Sequence, residues 1–189
     1  MPNDDRRRFL LSLPAVAAAI AASRPAAAQG TDPQNAVYLD TKDGRITIRL
    51  RPDLAPKHVA QIKALVKQHF YDGIVFHRVI DGFMAQTGDP TGTGTGKSNL
   101  PNLKAEFSNT PFKRGTVGMA RSQDPDSANS QFFICFADAS SLNGKYTVIG
   151  EVTSGMDVVD KIKKGSQSNN GSVTNPDKIV KMRLASDAA

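Results

Sequence analysis

The chain has 189 residues, 39% of them hydrophobic, with 24 Lys and Arg against 18 Asp and Glu and a formal net charge of +6. The basic residues are scattered and are not interleaved with aromatics, which argues against a nucleic-acid-binding surface. A single cysteine leaves no internal disulfide, so stability must come from packing.

The N-terminus reads as a targeting segment. Asp5-Arg6-Arg7-Arg8-Phe9-Leu10-Leu11 sets basic residues before an apolar run, Leu10 to Ala22, and Arg24-Pro25-Ala26-Ala27-Ala28 supplies an A-x-A cleavage signal with the cut expected after Ala28. The run is too short and too Ala-rich for a comfortable membrane span. The arginine pair followed by Phe9 resembles the twin-arginine export signal of bacteria, and Arg24 beside the cut fits that route better than its alternative, an ordinary secretory signal. Either route leads to a periplasmic or secreted protein, without stable membrane association once residues 1–28 are removed. That removal takes away four arginines and two aspartates and leaves +4 on roughly 160 residues, enough for one domain with a real core.

Residues 29–35 form a polar leader, and the expected domain spans 36–186. Ala36 to Thr41 and Arg45 to Leu50 are strand-like, and Lys42-Asp43-Gly44 between them predicts a hairpin. Ile46, Ile48 and Leu50 alternate with Arg45, Thr47 and Arg49, as a half-buried strand requires. Ala55-Pro56 opens a helix whose apolar face is Val59, Ile62, Leu65 and Val66 and which should stop near Tyr71-Asp72-Gly73. Short strands follow at Ile74 to Ile80, Phe83 to Gln86, Thr116 to Ala120, Gln131 to Phe136, Thr147 to Val152 and Lys178 to Leu184. A second helix is expected from Met156 to Lys164, with Gly165 as its stop. Lys164 to Pro176 is polar and reads as a mobile loop. Many short strands with two helices predict a mainly β fold, a closed eight-stranded antiparallel β-barrel capped by two α-helices.

Thr91 to Ser98, TGTGTGKS, nearly spells a phosphate-binding loop. The motif needs Gly at 91, where Thr91 stands, and the dinucleotide version needs Gly at 97, where Lys97 stands. The following Ser98-Asn99-Leu100-Pro101-Asn102 is loop chemistry, whereas a phosphate loop opens a helix. Other constellations are also missing. His58, His69 and His77 lack metal-ligand spacing, there is no G-x-S-x-G, and Cys135 lies in the apolar run Phe132 to Phe136, which suits an inert buried thiol. No metal and no cofactor is expected.

Two segments remain, Phe76-His77-Arg78-Val79-Ile80-Asp81-Gly82-Phe83-Met84-Ala85-Gln86 and Gly118-Met119-Ala120-Arg121 through to Gln131-Phe132-Phe133-Ile134. Taken singly, Arg78 reads as a surface cation and Gln131 as a strand end. Together, FHRVIDGFMAQTGDPTGTGTG and MARSQDPDSANSQFFI resemble the cyclophilins, the barrel-shaped peptidyl-prolyl cis-trans isomerases, and the resemblance covers nearly all of the mature chain. It makes the Gly-rich stretch a turn bordering the substrate groove. It implies that Arg78 points its guanidinium at the substrate proline, that Gln86 holds a substrate carbonyl and that Gln131 helps orient Arg78. Phe83, Met84, Phe133 and Leu142 would line the proline pocket, and Ala120 and Arg121 would offer backbone groups to an extended peptide. Three positions depart from the commonest eukaryotic pattern. Ser141 stands where a Trp is often found, Tyr146 takes the place of a pocket His while still able to pack on a proline ring, and Arg121 replaces an Asn. The missing indole N–H should weaken binding of cyclosporin.

The implied activity makes chemical sense. An X–Pro bond resists rotation by about 18–20 kcal/mol and flips unaided in tens to hundreds of seconds. Twisting localises the lone pair on nitrogen, and a fixed cationic donor beside it favours the twisted form over the planar one. Arg suits that task because it stays charged and carries rigid donors. The partners implied are proline-containing segments of unfolded or folding proteins, the protein acting as a monomer. A groove that holds such segments with little turnover, as a chaperone or adaptor, is the alternative.

Overall fold

The computed structural model describes residues 32–188. The expected signal segment, 1–28, lies outside the described residues. In chain order the strands are β1 (Ala36–Thr41), β2 (Gly44–Leu50), β3 (Arg78–Ile80), β4 (Met84–Thr87), β5 (Thr116–Met119), β6 (Phe132–Cys135), β7 (Val148–Ser154) and β8 (Lys181–Leu184), and the helices are α1 (Pro56–Lys67) and α2 (Met156–Lys161). β1 and β2 form the expected hairpin, with Thr41 opposite Gly44, and Gly44 takes a φ of +135 that glycine enters freely. Ile46, Ile48 and Leu50 are buried on one face of β2, as their alternation with polar residues requires.

The strands make one eight-stranded sheet in the order β3-β4-β6-β5-β7-β2-β1-β8, every pairing antiparallel. The expected closed ladder needs correction, because β3 and β8 do not pair. The two ends meet at an irregular seam. Gly73 N–H donates to Ile179 O, Ile179 N–H to Ile74 O and Phe76 N–H to Asp177 O, each at 2.8 Å. An isolated bridge joins Val75 and Lys178 there. Residues 73–76 and 177–179 are spent on this seam, so β3 and β8 begin later than the apolar runs suggest.

Inside the barrel, Leu39, Ile46, Ile48, Val117, Phe132, Ile134 and Met182 are buried together with Ile62 and Leu65 of α1 and Val159 of α2. Each such side chain contributes about 1.5–3 kcal/mol. α1 packs on β8 and α2 on β2.

Both helices end earlier than expected. α1 closes with a Schellman motif, in which Phe70 N–H donates to Leu65 O and His69 N–H to Val66 O, both at 3.0 Å. The left-handed position is His69, at φ +58, where glycine would ordinarily mark the stop. α2 ends at Lys161. Ile162 turns to φ −55, ψ 129, and the Lys163 N–H is taken by the Asp177 carboxylate at 2.8 Å, so Gly165 is not the stop. At its start, α1 has Pro56 in the first turn but no side-chain cap from Ala55. A distant residue supplies one. The Glu106 carboxylate accepts the N–H of Lys57 at 3.2 Å and of His58 at 3.1 Å, and the His58 Nδ1–H at 2.6 Å.

The segment read as a mobile loop, Lys164 to Pro176, also needs correction. Gly165 N–H donates to Val79 O at 2.9 Å, Val79 N–H to Gly171 O at 2.8 Å and Val173 N–H to His77 O at 3.1 Å. The segment therefore runs along the outer edge of β3. Its polar composition reflects exposure of side chains such as Gln167 and Asn169, while its backbone is paired.

Candidate active site

The site follows from strand alternation. On β4 and β6, Ala85, Phe132 and Ile134 point into the barrel core, and Met84, Phe133 and Cys135 fall into a second buried cluster on the opposite side. Sheet register sets Arg78 opposite Gln86, Gln86 opposite Phe133 and Phe133 opposite Gly118. One row across four strands thus carries a cation, an amide, an aromatic ring and a gap. The gap is required, since a Cβ on Gly118 would lie 2.6 Å from ring atoms of both Phe112 and Phe133. Those rings stack at 5.7 Å, and Tyr146 meets Phe133 edge-on at 5.9 Å.

A cavity of about 160 Å³ opens on this row. Phe83, Met84, Phe133, Leu142 and Tyr146 are its apolar walls, Arg78 and Gln86 its polar side, and Ala120 and Arg121 its rim. Ser141 is exposed and does not line it. A larger, polar cavity of about 450 Å³ adjoins it, sharing Gln86, Ala120 and Arg121 and extending over Lys97, Asn129 and Gln131. An extended peptide whose apolar ring fills the first would lay its backbone across the second.

Arg78 is held from several directions. Its Nη1 donates to Gln86 Oε1 at 3.2 Å and lies 4.0 Å from Met84 Sδ. Gln131 does not touch Arg78 directly. It accepts from Gln86 Nε2 at 2.9 Å and donates its own Nε2 to the Gly94 and Gly96 carbonyls at 3.0 and 2.8 Å, so any orienting effect on Arg78 passes through Gln86. Asn170, which sequence reasoning did not single out, accepts from Arg78 Nε at 3.0 Å through its backbone O and from Nη2 at 2.9 Å through Oδ1. The one available signal was the Asn170-Gly171 pair, a turn dipeptide in a polar stretch. Burial lowers the Arg78 pKa, but a guanidinium stays charged in any protein setting.

Arg121 on the rim and Tyr146 on the wall are in contact. The Arg121 guanidinium sits 4.5 Å from the Tyr146 ring centroid and donates to Lys145 O from Nη2 at 2.9 Å and to Ser122 O from Nη1 at 2.8 Å. Its side chain thus braces a pocket wall. The Ala120 N–H donates to Gln131 O at 3.0 Å, which commits that amide to the fold.

The Gly-rich turn uses its amides internally. The N–H groups of Thr91, Gly94 and Gly96 donate to the buried Asp89 carboxylate at 2.7, 2.5 and 3.1 Å. Burial alone would raise the Asp89 pKa; the bonds from Thr91, Gly96 and Gly94 outweigh it and hold the carboxyl below its ordinary value. A phosphate would find this nest of amides occupied by the protein's own anion. Among the described residues no three His, Cys, Asp or Glu side chains gather as metal ligands. Cys135 is buried, and burial pushes its thiol up to about 12.

The fold thus carries, on a mainly β barrel, a small slot with aromatic and aliphatic walls, an arginine and a glutamine on its polar side and a larger groove adjoining it. The family model for cyclophilin type peptidyl-prolyl cis-trans isomerase/CLD matches residues 36–184. A relative from Brucella suis, named "Probable peptidyl-prolyl cis-trans isomerase", is 58% identical over 192 residues, covering 95% of this chain and 98% of its own. A Helicobacter pylori peptidyl-prolyl cis-trans isomerase is 44% identical over 131 residues, 67% of this chain and 79% of its own. Among solved structures, the cyclophilin AquaCyp293 from Hirschia baltica superposes with a TM-score of 0.75 at 30% identity, over 84% of this chain and 77% of that one. A Cryptosporidium parvum cyclophilin type isomerase, crystallised in the presence of the dipeptide Ala-Pro, superposes with a TM-score of 0.72 at 27% identity, over 79% of this chain and 98% of that one. The chain belongs to the cyclophilin-type peptidyl-prolyl cis-trans isomerase family.

Proposed function

We propose that this chain accelerates rotation about X–Pro bonds in folding polypeptides by seating the proline ring against Phe83, Met84, Phe133 and Leu142 and presenting the Arg78 guanidinium to the imide nitrogen. The observation that carries this reading is the arginine, with Gln86 beside it, on one side of a slot whose facing walls are Phe83, Met84, Phe133, Leu142 and Tyr146. The slot holds about five waters' worth of volume, the scale of a five-membered ring. Seating the ring expels that water, and the low local dielectric strengthens the interaction between guanidinium and nitrogen lone pair. The lone pair is available only when the imide is twisted, so the contact favours the transition state over both planar isomers. Gln86 faces the same slot and can hold a substrate carbonyl. Each tenfold in rate needs about 1.4 kcal/mol, so two or three such contacts suffice for a large acceleration.

The crystallisation of the Cryptosporidium parvum relative with Ala-Pro supports proline-containing segments as the substrate class. The basic, apolar and A-x-A segments of residues 1–28 support export to the periplasm or beyond, where a monomeric isomerase would act on exported proteins as they fold. The test is a protease-coupled assay on a proline peptide, with wild type and Arg78→Ala side by side. Wild type should turn over, and Arg78→Ala should lose most of that activity, by roughly tenfold or more, while melting as wild type does. Unchanged activity in the variant would defeat the mechanism. Absence of cis/trans exchange broadening in a peptide held with substoichiometric wild-type protein would replace it with a holding role.

A further inference from the structure

We propose that Asn170 is a positioning residue for Arg78, and that the 165–173 segment is one arm of a clamp whose other arm is Gln86. The proposal rests on the role given to Arg78 above. A guanidinium carries five N–H donors in a planar fork. Three are engaged with oxygen acceptors, Nε–H with Asn170 O, one Nη2–H with Asn170 Oδ1 and one Nη1–H with Gln86 Oε1, and Nη1 also has the weak acceptor Met84 Sδ at 4.0 Å. That leaves for a substrate one N–H on Nη2 and, on Nη1, one opposed only by the Met84 sulfur. A long side chain held only by Gln86 could still swing about its inner torsions. Bonds along a second edge of the fork remove that freedom, so its ordering cost is met before the peptide arrives.

Asn170 can supply both acceptors because of its backbone. At φ 50, ψ 33 its own carbonyl and its side-chain oxygen both reach the same guanidinium. Asn is among the few residues with a side chain that accept this conformation. The segment is registered against Arg78 by its backbone. It bonds to His77 and Val79 on either side, and Arg78 itself bridges Ser172. Gly165 and Gly171 make the close approach possible, since a Cβ on the first would run into the Gly171 carbonyl and one on the second into the Ile80 side chain. A neutral amide also suits the task chemically. It accepts hydrogen bonds and fixes direction without cancelling the positive charge that the reaction uses, as a carboxylate would.

The experiment uses Asn170→Gly, which keeps the left-handed backbone and removes Oδ1, alone and combined with Arg78→Ala. Activity is read by NMR exchange on a proline peptide and by the coupled assay. Arg78 Nε–H order is read by ¹⁵N relaxation, and folding by melting. Asn170→Gly should lower kcat by roughly three- to thirtyfold with KM changed less than about twofold, because the proline ring is gripped elsewhere. In the Arg78→Ala background it should change the rate by less than about twofold, since nothing is left to position. Arg78 Nε should become more mobile. The proposal is overturned if kcat stays within about twofold of wild type, if the loss is the same in both backgrounds, or if Arg78 Nε stays as ordered as before. Because the relaxation measurement needs no turnover, it also judges the clamp should the wild type prove inactive.

Discussion

Under the proposed mechanism, single positions divide the labour of the pocket between holding the ring and placing the charge. Gly118 belongs to the first task. It leaves room for two stacked rings, one of which, Phe133, is a pocket wall. Gly118→Ala should force that ring toward the cavity, costing about 1–3 kcal/mol of stability and raising KM more than it lowers kcat; denaturant unfolding and peptide kinetics on the same samples will separate the two. Much of the pocket's residue inventory was legible in the sequence through the resemblance to the cyclophilins and not through periodicity, which by itself makes these segments core strands and Arg78 a surface cation. Asn170 was not legible. It reaches Arg78 across 92 positions of chain from a stretch whose polarity gives no hint of order. The contact between Arg121 and Tyr146 was hidden for the same reason. Each departure could be seen alone, but only the fold brings them within 4.5 Å.

Elements begin and end where their stray backbone groups find partners, and those partners were the least readable part of the chain. α1 starts under a carboxylate contributed from 49 positions away and stops on a histidine in a glycine's conformation. The start has a pH consequence. Burial alone would raise the Glu106 pKa, but the bonds from His58 and from the first-turn amides prevail and hold it below 4.5. A carboxyl whose folded pKa is depressed contributes stability in full above its unfolded value and loses it as pH falls through the folded one. Glu106→Gln should therefore cost about 1–2 kcal/mol near neutrality, with the gap to wild type narrowing below about pH 4.5; urea melts at a series of pH values will show it. A gap that stayed constant with pH would mean the carboxylate's charge is not what caps the helix.

At the scale of the molecule, the strand count, the two helices and the barrel were readable from period and turn residues. The seam between residues 73–76 and 177–179 was not, because its pairing is irregular and couples the first third of the barrel to its last segment. With no disulfide, the lone thiol is reached only by taking apart the cluster of Met84, Phe112, Phe133, Ala139 and Val148 that buries it outside the barrel core. Cys135 is buried, and burial pushes its pKa up to about 12, so a thiol reagent at neutral pH should label it at the rate of global unfolding and not faster. Labelling that outruns unfolding measured by hydrogen exchange would reveal a local opening of β6.

Followed outward from Arg78, the polar bonds of the site all run one way. A group that can only give hydrogens hands one to Gln86, which hands one to Gln131, which hands one each to the carbonyls of Gly94 and Gly96, which can only receive; the N–H groups of the same two residues, in the preceding peptide units, donate separately to the Asp89 carboxylate. With fixed polarity at both ends, neither glutamine can flip its amide without stranding a neighbour on each side. The series has a single ground arrangement whose dipoles reinforce one another. The turn that looked like a phosphate loop is thus the anchorage of a one-way series of hydrogen bonds, and the buried Asp89 carboxylate holds that turn in shape.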